Sequence, residues 1–330
     1  MRRILVTGGA GMIGSNLVKA LVANGDDVFV VDNLWRGKLS NLMEGDKCCI
    51  DIEKRFFNRD LSISESIDDI ISQVEYVVHL ADIVAGIGYV FNNQGFIFRQ
   101  NFLINSNVFT AIRNTETKIK GVIYVGTACS FPRELQSSFD ATLLEEEQLY
   151  PANPESAYGW SKLMGQFELE LLGAEKEINT VSLIFHNVYG SPTDYSERGQ
   201  VIPSLIYRLL ANPNEPLKVW GSGRQGRAFI HVSDVVQAIQ LALEKGWNES
   251  PIQIGPSHCT TIAEVAEMII NTSGNNNHIE FDLTKPEGDL ARAANYNKAK
   301  KVLGWEPTTT LESGIGELYQ WIKNDMDKEA

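Results

Sequence analysis

The chain has 330 residues, enough for two domains or one large α/β unit with a sizeable core. Hydrophobic residues make up 43% and charged residues 22%, an ordinary globular balance that sets aside disordered and fibrous classes. With 42 acidic against 29 basic residues the formal net charge is −13, so nucleic acid and anionic membrane are not expected partners. A small phosphate-bearing ligand is still compatible with that charge, because single Arg residues and helix ends bind phosphate locally.

The four cysteines include the adjacent pair Cys48 and Cys49, and none forms a C-x-x-C pair. Neither a disulfide framework nor a thiolate metal site is expected, and no metal is predicted. Only Ile4, Leu5 and Val6 stand between Arg3 and Thr7, too short a core for a signal peptide. No apolar run approaches the ~18 residues of a membrane span, so the expected location is the cytoplasm.

In chain order, Ile4–Val6 predicts a buried strand, and apolar residues at 13, 17, 18, 21 and 22 predict a helix over Ile13–Ala23. Val28–Val31 predicts a second strand ending at Asp32, and further strands are expected at Val74–Leu80, Gly121–Val125 and Val181–Phe185. Helical stripes fall at Asn101–Ile112 and from near Ser156 to Leu172. This alternation predicts an α/β fold, a Rossmann-type doubly wound parallel sheet. Beyond residue 190 the pattern breaks up, with 8 of the 11 prolines in that stretch. Short elements joined by loops suit a smaller C-terminal substrate-binding lobe.

Gly8, Gly11 and Gly14 lie between the first strand and the first helix, with Met12 and Ile13 among them. Missing side chains let the backbone turn tightly and approach a pyrophosphate, while the helix N-terminus presents free N–H groups. Glycine spacing alone is weak evidence. Here Asp32 follows Gly14 by 18 residues, at the end of the next strand, which completes a dinucleotide-binding pattern. A carboxylate at Asp32, followed by Asn33, favours NAD over NADP, because it repels a 2′-phosphate. Arg36 is the dissenting feature, since an Arg nearby can bind that phosphate. Asp60 and Leu61 fall where an adenine contact is expected, and a solvated loop Asp is an equal reading. Leu80 and Ala81 close the strand that faces the cofactor.

Tyr158 and Lys162 are four apart and share one helix face. A free phenol has a pKa of ~10, too high for a base at neutral pH. A Lys ammonium and the positive nicotinamide would both favour the phenolate. Tyr158 would then exchange a proton with a sugar hydroxyl, with Thr127 at the end of the preceding strand holding the same oxygen.

With these residues in place the chain resembles the extended short-chain dehydrogenase/reductase family over nearly its whole length. Within the family it resembles the GDP-sugar branch, the GDP-mannose 3,5-epimerases and GDP-fucose synthases. The supporting stretches are Gly126–Pro132, Phe185–Gly190, Val219–Gly223, Thr284–Gly288 and Leu303–Trp305. The resemblance implies a tightly held NAD, transient oxidation at carbon 4 of a nucleotide-linked sugar, and a homodimer paired through the helices near Asn101–Ile112 and Ser156–Leu172. It further implies an NAD-binding domain over residues 1–180, with a returning segment near 225–250, and a lobe mainly for the nucleotide sugar over 181–330.

In the resembled enzymes the residue matching Cys129 is an acid/base at carbon 3 or 5, and a thiol can act so once nearby positive charge lowers its pKa. A small packed Cys is the alternative. Two positions after Thr127 on an extended segment, Cys129 is expected to point the same way as Thr127. Substrate contacts are expected from Gly88, Tyr89, Ser130, Asn187, Trp220 and Arg227. Asn187 and Arg227 would face the diphosphate, with Trp220 stacked on the base; a GDP-sugar is expected ahead of a UDP-sugar. One departure stands out. Gln200 and Val201 match positions where the resembled enzymes carry a second acid/base, His or Lys, and neither can deliver a proton. Arg198 or Glu197 would substitute only if that loop folds inward. Three readings follow: a GDP-hexose epimerase, a GDP-sugar carbon-4 oxidoreductase without 3,5-epimerisation, and a non-catalytic nucleotide-sensing protein.

Overall fold

The computed structural model describes residues 1–196 and 199–329. Its first half runs β1 (Arg3–Thr7), α1 (Met12–Ala23), β2 (Asp27–Asp32), β3 (Phe56–Asn58), β4 (Tyr76–His79), α2 (Gln94–Asn114), β5 (Gly121–Thr127), α3 (Ala157–Lys176) and β6 (Asn179–Phe185). Then follow β7 (Asn187–Tyr189), α4 (Val201–Ala211), β8 (Leu217–Trp220), β9 (Phe229–His231), α5 (Val232–Lys245), β10 (Ile252–Ile254), α6 (Ile262–Ser273), β11 (Ile279–Asp282), β12 (Arg292–Ala294) and α7 (Leu311–Glu329).

Seven strands form one sheet in the order β3-β2-β1-β4-β5-β6-β10, and every pairing in it is parallel. Strands buried on both faces read as continuous apolar runs, as Ile4–Val6 and Val28–Val31 do. Leu17, Val18 and Leu21 of α1 pack on one face with Val235, Ile239 and Leu243 of α5. Ile97, Val108 and Phe109 of α2 pack on the other face with Leu169 and Leu172 of α3. The strand order reverses between β1 and β4. That opens a crevice at the carboxyl ends of the strands, where open α/β sheets bind ligands. The architecture is the expected doubly wound sheet.

A second apolar cluster gathers Ile202, Leu205 and Leu209 of α4, Val265 and Ile269 of α6, and Ile315 and Ile322 of α7. It forms the smaller lobe, which carries the parallel pair β8–β11, with Leu217 and Val219 of β8 buried in the same cluster. The sequence boundary at 180/181 falls inside β6, which sits between β5 and β10 in the large sheet. The chain returns to that sheet through α5 and β10, and β10 lies past the expected 225–250 segment. The helix expected at Asn101–Ile112 starts earlier, at Gln94. Among the described residues no helix is long and apolar enough to cross a membrane.

The C-terminal segment is locked to α5 by one clasp. Trp305, 1% exposed, donates its indole N–H to the Asp234 carbonyl at 2.9 Å. The Asp234 carboxylate accepts the Thr308 N–H and hydroxyl and the Thr309 N–H. Trp305→Ala removes a large buried side chain that also carries a hydrogen bond. It should lower the unfolding free energy by about 3–5 kcal/mol in urea titration; a loss under about 1 kcal/mol would mean the segment is held elsewhere.

Candidate active site

One cleft of about 2090 Å³ runs along the carboxyl ends of the strands and under the smaller lobe. Its floor begins at the glycine loop. Gly8 has φ +68°, and a Cβ on Gly14 would sit 2.2 Å from the Gly8 carbonyl oxygen, so no side chain fits there. Gly11 is the N-cap of α1 and offers no side chain to the first-turn N–H groups. Met12 and Ile13 line the cleft beside it. This cradle fits a pyrophosphate, which a helix N-terminus attracts.

Asp32 closes β2. Its carboxylate accepts the Ala10 N–H at 2.9 Å and the Leu34 N–H at 2.8 Å. Burial pushes that carboxyl up, and the two N–H groups only partly offset it. The Asn33 side chain is spent on the Trp35 N–H. Arg36, the dissenter, donates to the Val84 carbonyl and lies 3.6 Å from the Asp194 carboxylate, which engages it across the cleft. Asp60 accepts the N–H and hydroxyl of Ser62, so its carboxylate shapes its own turn. Leu61 is buried and lines the cleft. The Leu80 and Ala81 N–H groups donate to the Thr7 hydroxyl, which fixes the strand end beside Gly8.

Thr127, Cys129 and Tyr158 all line this cleft. The extended geometry expected around Cys129 is not found, because Ala128–Ser130 is a 3₁₀ turn capped by Thr127. The Thr127 hydroxyl accepts the Cys129 N–H at 3.2 Å. The turn aims the thiol at Arg292, whose Nη2 donates to Cys129 Sγ at 3.3 Å. Ser130, by contrast, is not part of the cleft lining. It is 2% exposed, and its hydroxyl donates to the Gly159 carbonyl at 3.1 Å.

Tyr158 and Lys162 meet on Asp82, which the sequence reading missed. The phenol donates to Asp82 Oδ2 at 3.0 Å, and Lys162 Nζ lies 3.3 Å from the same oxygen. Burial and the Asp82 charge push the Tyr158 phenol well above its ordinary value, the reverse of the expected lowering by lysine. Burial alone would lower Lys162, but Tyr124 and Asp82 outweigh it and the ammonium is held. Asp82 has one sequence signal: it is the sole charge in the otherwise apolar run from Leu80 to Ile87.

The smaller lobe supplies the other wall. Asn187 lines the cleft, and its Oδ1 is buried with no hydrogen-bond partner. Burial and the Arg292 cation push Arg227 down to about 10, which leaves the guanidinium charged at neutral pH. Arg292 is 4% exposed and bonds Asp289 Oδ2 and Gln136 Oε1. Sequence reading stopped at Gly288, four residues short of it, although a lone Arg in Leu-Ala-Arg-Ala-Ala is itself a signal. Glu155 accepts the Asp289 N–H at 3.2 Å, and burial and the Asp289 charge push it up to about 7. Glu155 can therefore hold a proton near neutrality, next to the Asp289 that pairs with Arg292. Trp220 comes within 3.3 Å of a Cβ placed on Gly88. Arg208 and Lys285 lie over its ring, while Tyr89 packs against Trp35. Gln200 and Val201 line the cleft at the start of α4. Glu197 and Arg198 lie outside the described residues. No cluster of His, Cys, Asp and Glu suited to a metal ion occurs among the described residues.

Fold and site together define an oxidoreductase-type nucleotide-binding protein with a Thr-Tyr-Lys centre. A family model described as the NAD dependent epimerase/dehydratase family matches residues 4–255, and the chain belongs to that family. GDP-mannose 3,5-epimerase of Arabidopsis thaliana is 28% identical over 327 residues, 99% of this chain and 84% of its own length. A putative UDP-glucose 4-epimerase of Methanocaldococcus jannaschii is 30% identical over 325 residues, 98% of this chain and 99% of its own. The structure of Thermotoga maritima UDP-glucose 4-epimerase with UDP-glucose superposes with a TM-score of 0.84 at 27% identity, covering 98% of this chain and 99% of that one. Relatives named for GDP- and UDP-sugars are equally similar, so likeness does not favour the GDP base expected from sequence.

The cofactor preference is testable directly. If the Asp32 carboxylate meets the adenosine ribose, as expected from sequence, and Arg36 stays engaged with Val84 and Asp194, NAD should bind at least about tenfold tighter than NADP, about 1.4 kcal/mol, in calorimetric titration. Equal affinities would transfer the role to Arg36.

Proposed function

We propose that the chain is an epimerase of a nucleotide-linked hexose, a GDP-hexose in the first instance, working through transient oxidation at carbon 4. The observation that carries the reading is the junction of Thr127, Tyr158 and the Arg292-bonded Cys129 thiol in one cleft beside the glycine loop. NAD supplies a reversible hydride acceptor when it occupies that loop. Gly8, Gly11, Gly14, Met12 and Ile13 hold its pyrophosphate, Asp32 and Asn33 its adenosine ribose, and Lys162 anchors the catalytic end.

Thr127 holds the carbon-4 oxygen while Tyr158 exchanges its proton. Once that carbon is a ketone, the neighbouring C–H is acidified, and Cys129 removes and returns the proton at carbon 3 or 5. Arg292 donates to the sulfur and so complements a sulfur anion. The guanidinium fork of Arg227 and the Asn187 amide N–H meet the diphosphate as donors, beside the Arg292 cation. Trp220 stacks on the base, with Gly88 and Tyr89 beside the sugar. The chemistry suits the cytoplasm, where a free Cys129 thiol stays reduced.

A second reading is carbon-4 oxidoreduction or 4-epimerisation alone. Gln200 and Val201 favour it, because neither carries a proton where a second acid/base would act.

A homodimer through α2 and α3 belongs to the same proposal. Trp160, Met164, Phe167 and Leu171 follow one face of α3, and Phe96 and Phe102 lie on α2; all six are exposed, Phe167 by 53%. Two copies of this helix pair make a four-helix bundle. Wild type should sediment as a dimer at micromolar concentration and Phe167→Glu as a monomer; a wild-type monomer would remove the dimer from the proposal.

The decisive chemical test is incubation with GDP- and UDP-hexoses in D₂O. Deuterium at carbon 3 or 5 supports epimerisation through Cys129, and isomer formation without deuterium there supports the second reading. Cys129→Ser should abolish that uptake, since an alcohol is too weak an acid, while oxidation at carbon 4 persists. Uptake at the wild-type rate would make Cys129 a packing residue.

A further inference from the structure

The loop after β2 is pinned at both ends to one residue of the glycine turn. Asp32 Oδ2 accepts the Ala10 N–H at 2.9 Å, and the Lys38 N–H donates to the Ala10 carbonyl at 3.2 Å. The backbone of Arg36 is therefore held close to Asp32, and only its side chain has a choice of direction. Turned back toward Asp32, the guanidinium would meet a 2′-phosphate as a fork on two oxygens. It turns the other way, onto the Val84 carbonyl and, at 3.6 Å, Asp194 Oδ2.

Asp194 belongs to the opposite wall, on the segment that joins β7 to α4. That segment is itself anchored. Asn16 of α1 donates to the Ser191 carbonyl at 2.9 Å. Further on, Tyr195 stacks on Tyr207 of α4 with 5.4 Å between ring centroids, and its hydroxyl donates to Asp325 of α7 at 3.0 Å. Asp194 Oδ1 accepts the Ser196 N–H at 2.9 Å, which leaves Oδ2 turned toward Arg36. Both partners line the cleft, and only 20% and 23% of their side chains are exposed. Arg59, another guanidinium of this cleft, is spent on both oxygens of Asp69.

We propose that Asp194 is a positioning residue for cofactor choice: it holds Arg36 across the cleft and so withholds from a 2′-phosphate the guanidinium that would bind it. The inference rests on the adenosine ribose lying at Asp32, as proposed above. Two carboxylates then act on one choice from opposite walls. Asp32 repels the phosphate directly, and Asp194 occupies the cation that would compensate it. To engage a 2′-phosphate, Arg36 must give up Asp194, whereas NAD demands no such exchange. Because Asp194 sits on the segment leading into the smaller lobe, cofactor choice is tied to how that lobe is seated on the nucleotide-binding half.

The test equilibrates the full-length, NAD-loaded protein with NADP and reads the ratio of the two nucleotides retained after filtration. That ratio compares two ligands on one protein, so a general loosening of the fold does not move it. Asp194→Asn keeps an acceptor for the Ser196 N–H and drops the charge. It should shift the ratio toward NADP by about fivefold, and Asp194→Ala should shift it the same way. An unchanged ratio in both variants would overturn the proposal. In an Arg36→Ala background Asp194→Asn should add nothing, because no guanidinium is left to release. An equal shift in that background would trace the effect to lost negative charge alone and would also overturn it. Asp32→Asn, measured in parallel, tests the ribose placement and should move the ratio toward NADP by itself. No shift with Asp32→Asn would remove the placement and this inference with it. A shift with Asp32→Asn and none with the Asp194 variants would leave the placement standing and overturn only the role of Asp194.

Discussion

An ammonium with 1% of its side chain exposed must be compensated, because an unpaired buried charge costs several kcal/mol. Lys162 is compensated by the Asp82 carboxylate and the face of Tyr124. That requirement fixes the loop after β4, and the loop is held from the other side by Asn101 of α2, which accepts the Ile83 N–H and donates to the Ile83 carbonyl. Asn105, one turn further on, reaches Tyr124 and His79. The catalytic face of α3 is therefore tied to α2, β4 and β5 by one polar network. The opposite faces of α2 and α3 carry the exposed aromatic stripe. Burying that stripe against a second copy would stiffen the helices that position Tyr158 and Lys162, which links assembly to chemistry.

The sheet was legible because its signals are local. Continuous apolar runs bounded by glycine or aspartate mark strands such as Ile4–Val6, and the spacing of Gly8, Gly11 and Gly14 encodes a close approach that admits no Cβ. Thr127, Tyr158 and Lys162 were legible for the same reason: each sits at a fixed offset from a strand end or along one helix face. Cys129 lines the cleft with Thr127 as expected, but on a 3₁₀ turn and not on the extended segment that the expectation assumed. A two-residue offset implies a shared side only while the strand continues, and the Thr127 hydroxyl ends it by capping the next turn.

What the sequence hid is non-local. Asp82 and Tyr158 are separated by 76 residues, and Cys129 and Arg292 by 163. Arg292 is brought in by β12, which pairs with the short strand Thr142–Leu144. Nothing in a three-residue strand of Arg and Ala announces that pairing. The same holds for Glu155, whose carboxyl is pushed up by burial and by the charge of Asp289, 134 residues further along the chain. Ser130 failed in the opposite way. Its neighbours in the chain line the cleft, yet its hydroxyl is taken by the Gly159 carbonyl, a contact that docks the turn onto α3.

The hydrogen bonds inside the site also have a direction, and the direction constrains the chemistry. Thr127 Oγ1 accepts the Cys129 N–H, so its own proton is free to donate into the cleft. Tyr158 donates to Asp82, so its oxygen is free to accept from the cleft. A hydroxyl placed between them therefore accepts from Thr127 and donates to Tyr158, which is the polarity needed for it to lose a proton and become a carbonyl. In the proposed carbon-4 oxidation the carbonyl left behind would still accept from Thr127, and Tyr158 would hold the proton for its return. Reversing either bond would leave a sugar hydroxyl facing two donors or two acceptors. The 3₁₀ turn that carries Cys129 in place of an extended segment is thus the feature that occupies Thr127 Oγ1 as an acceptor and leaves its proton to donate. It aims the thiol and orients the hydroxyl in one local fold, so the two chemical steps proposed for this cleft share one structural cause.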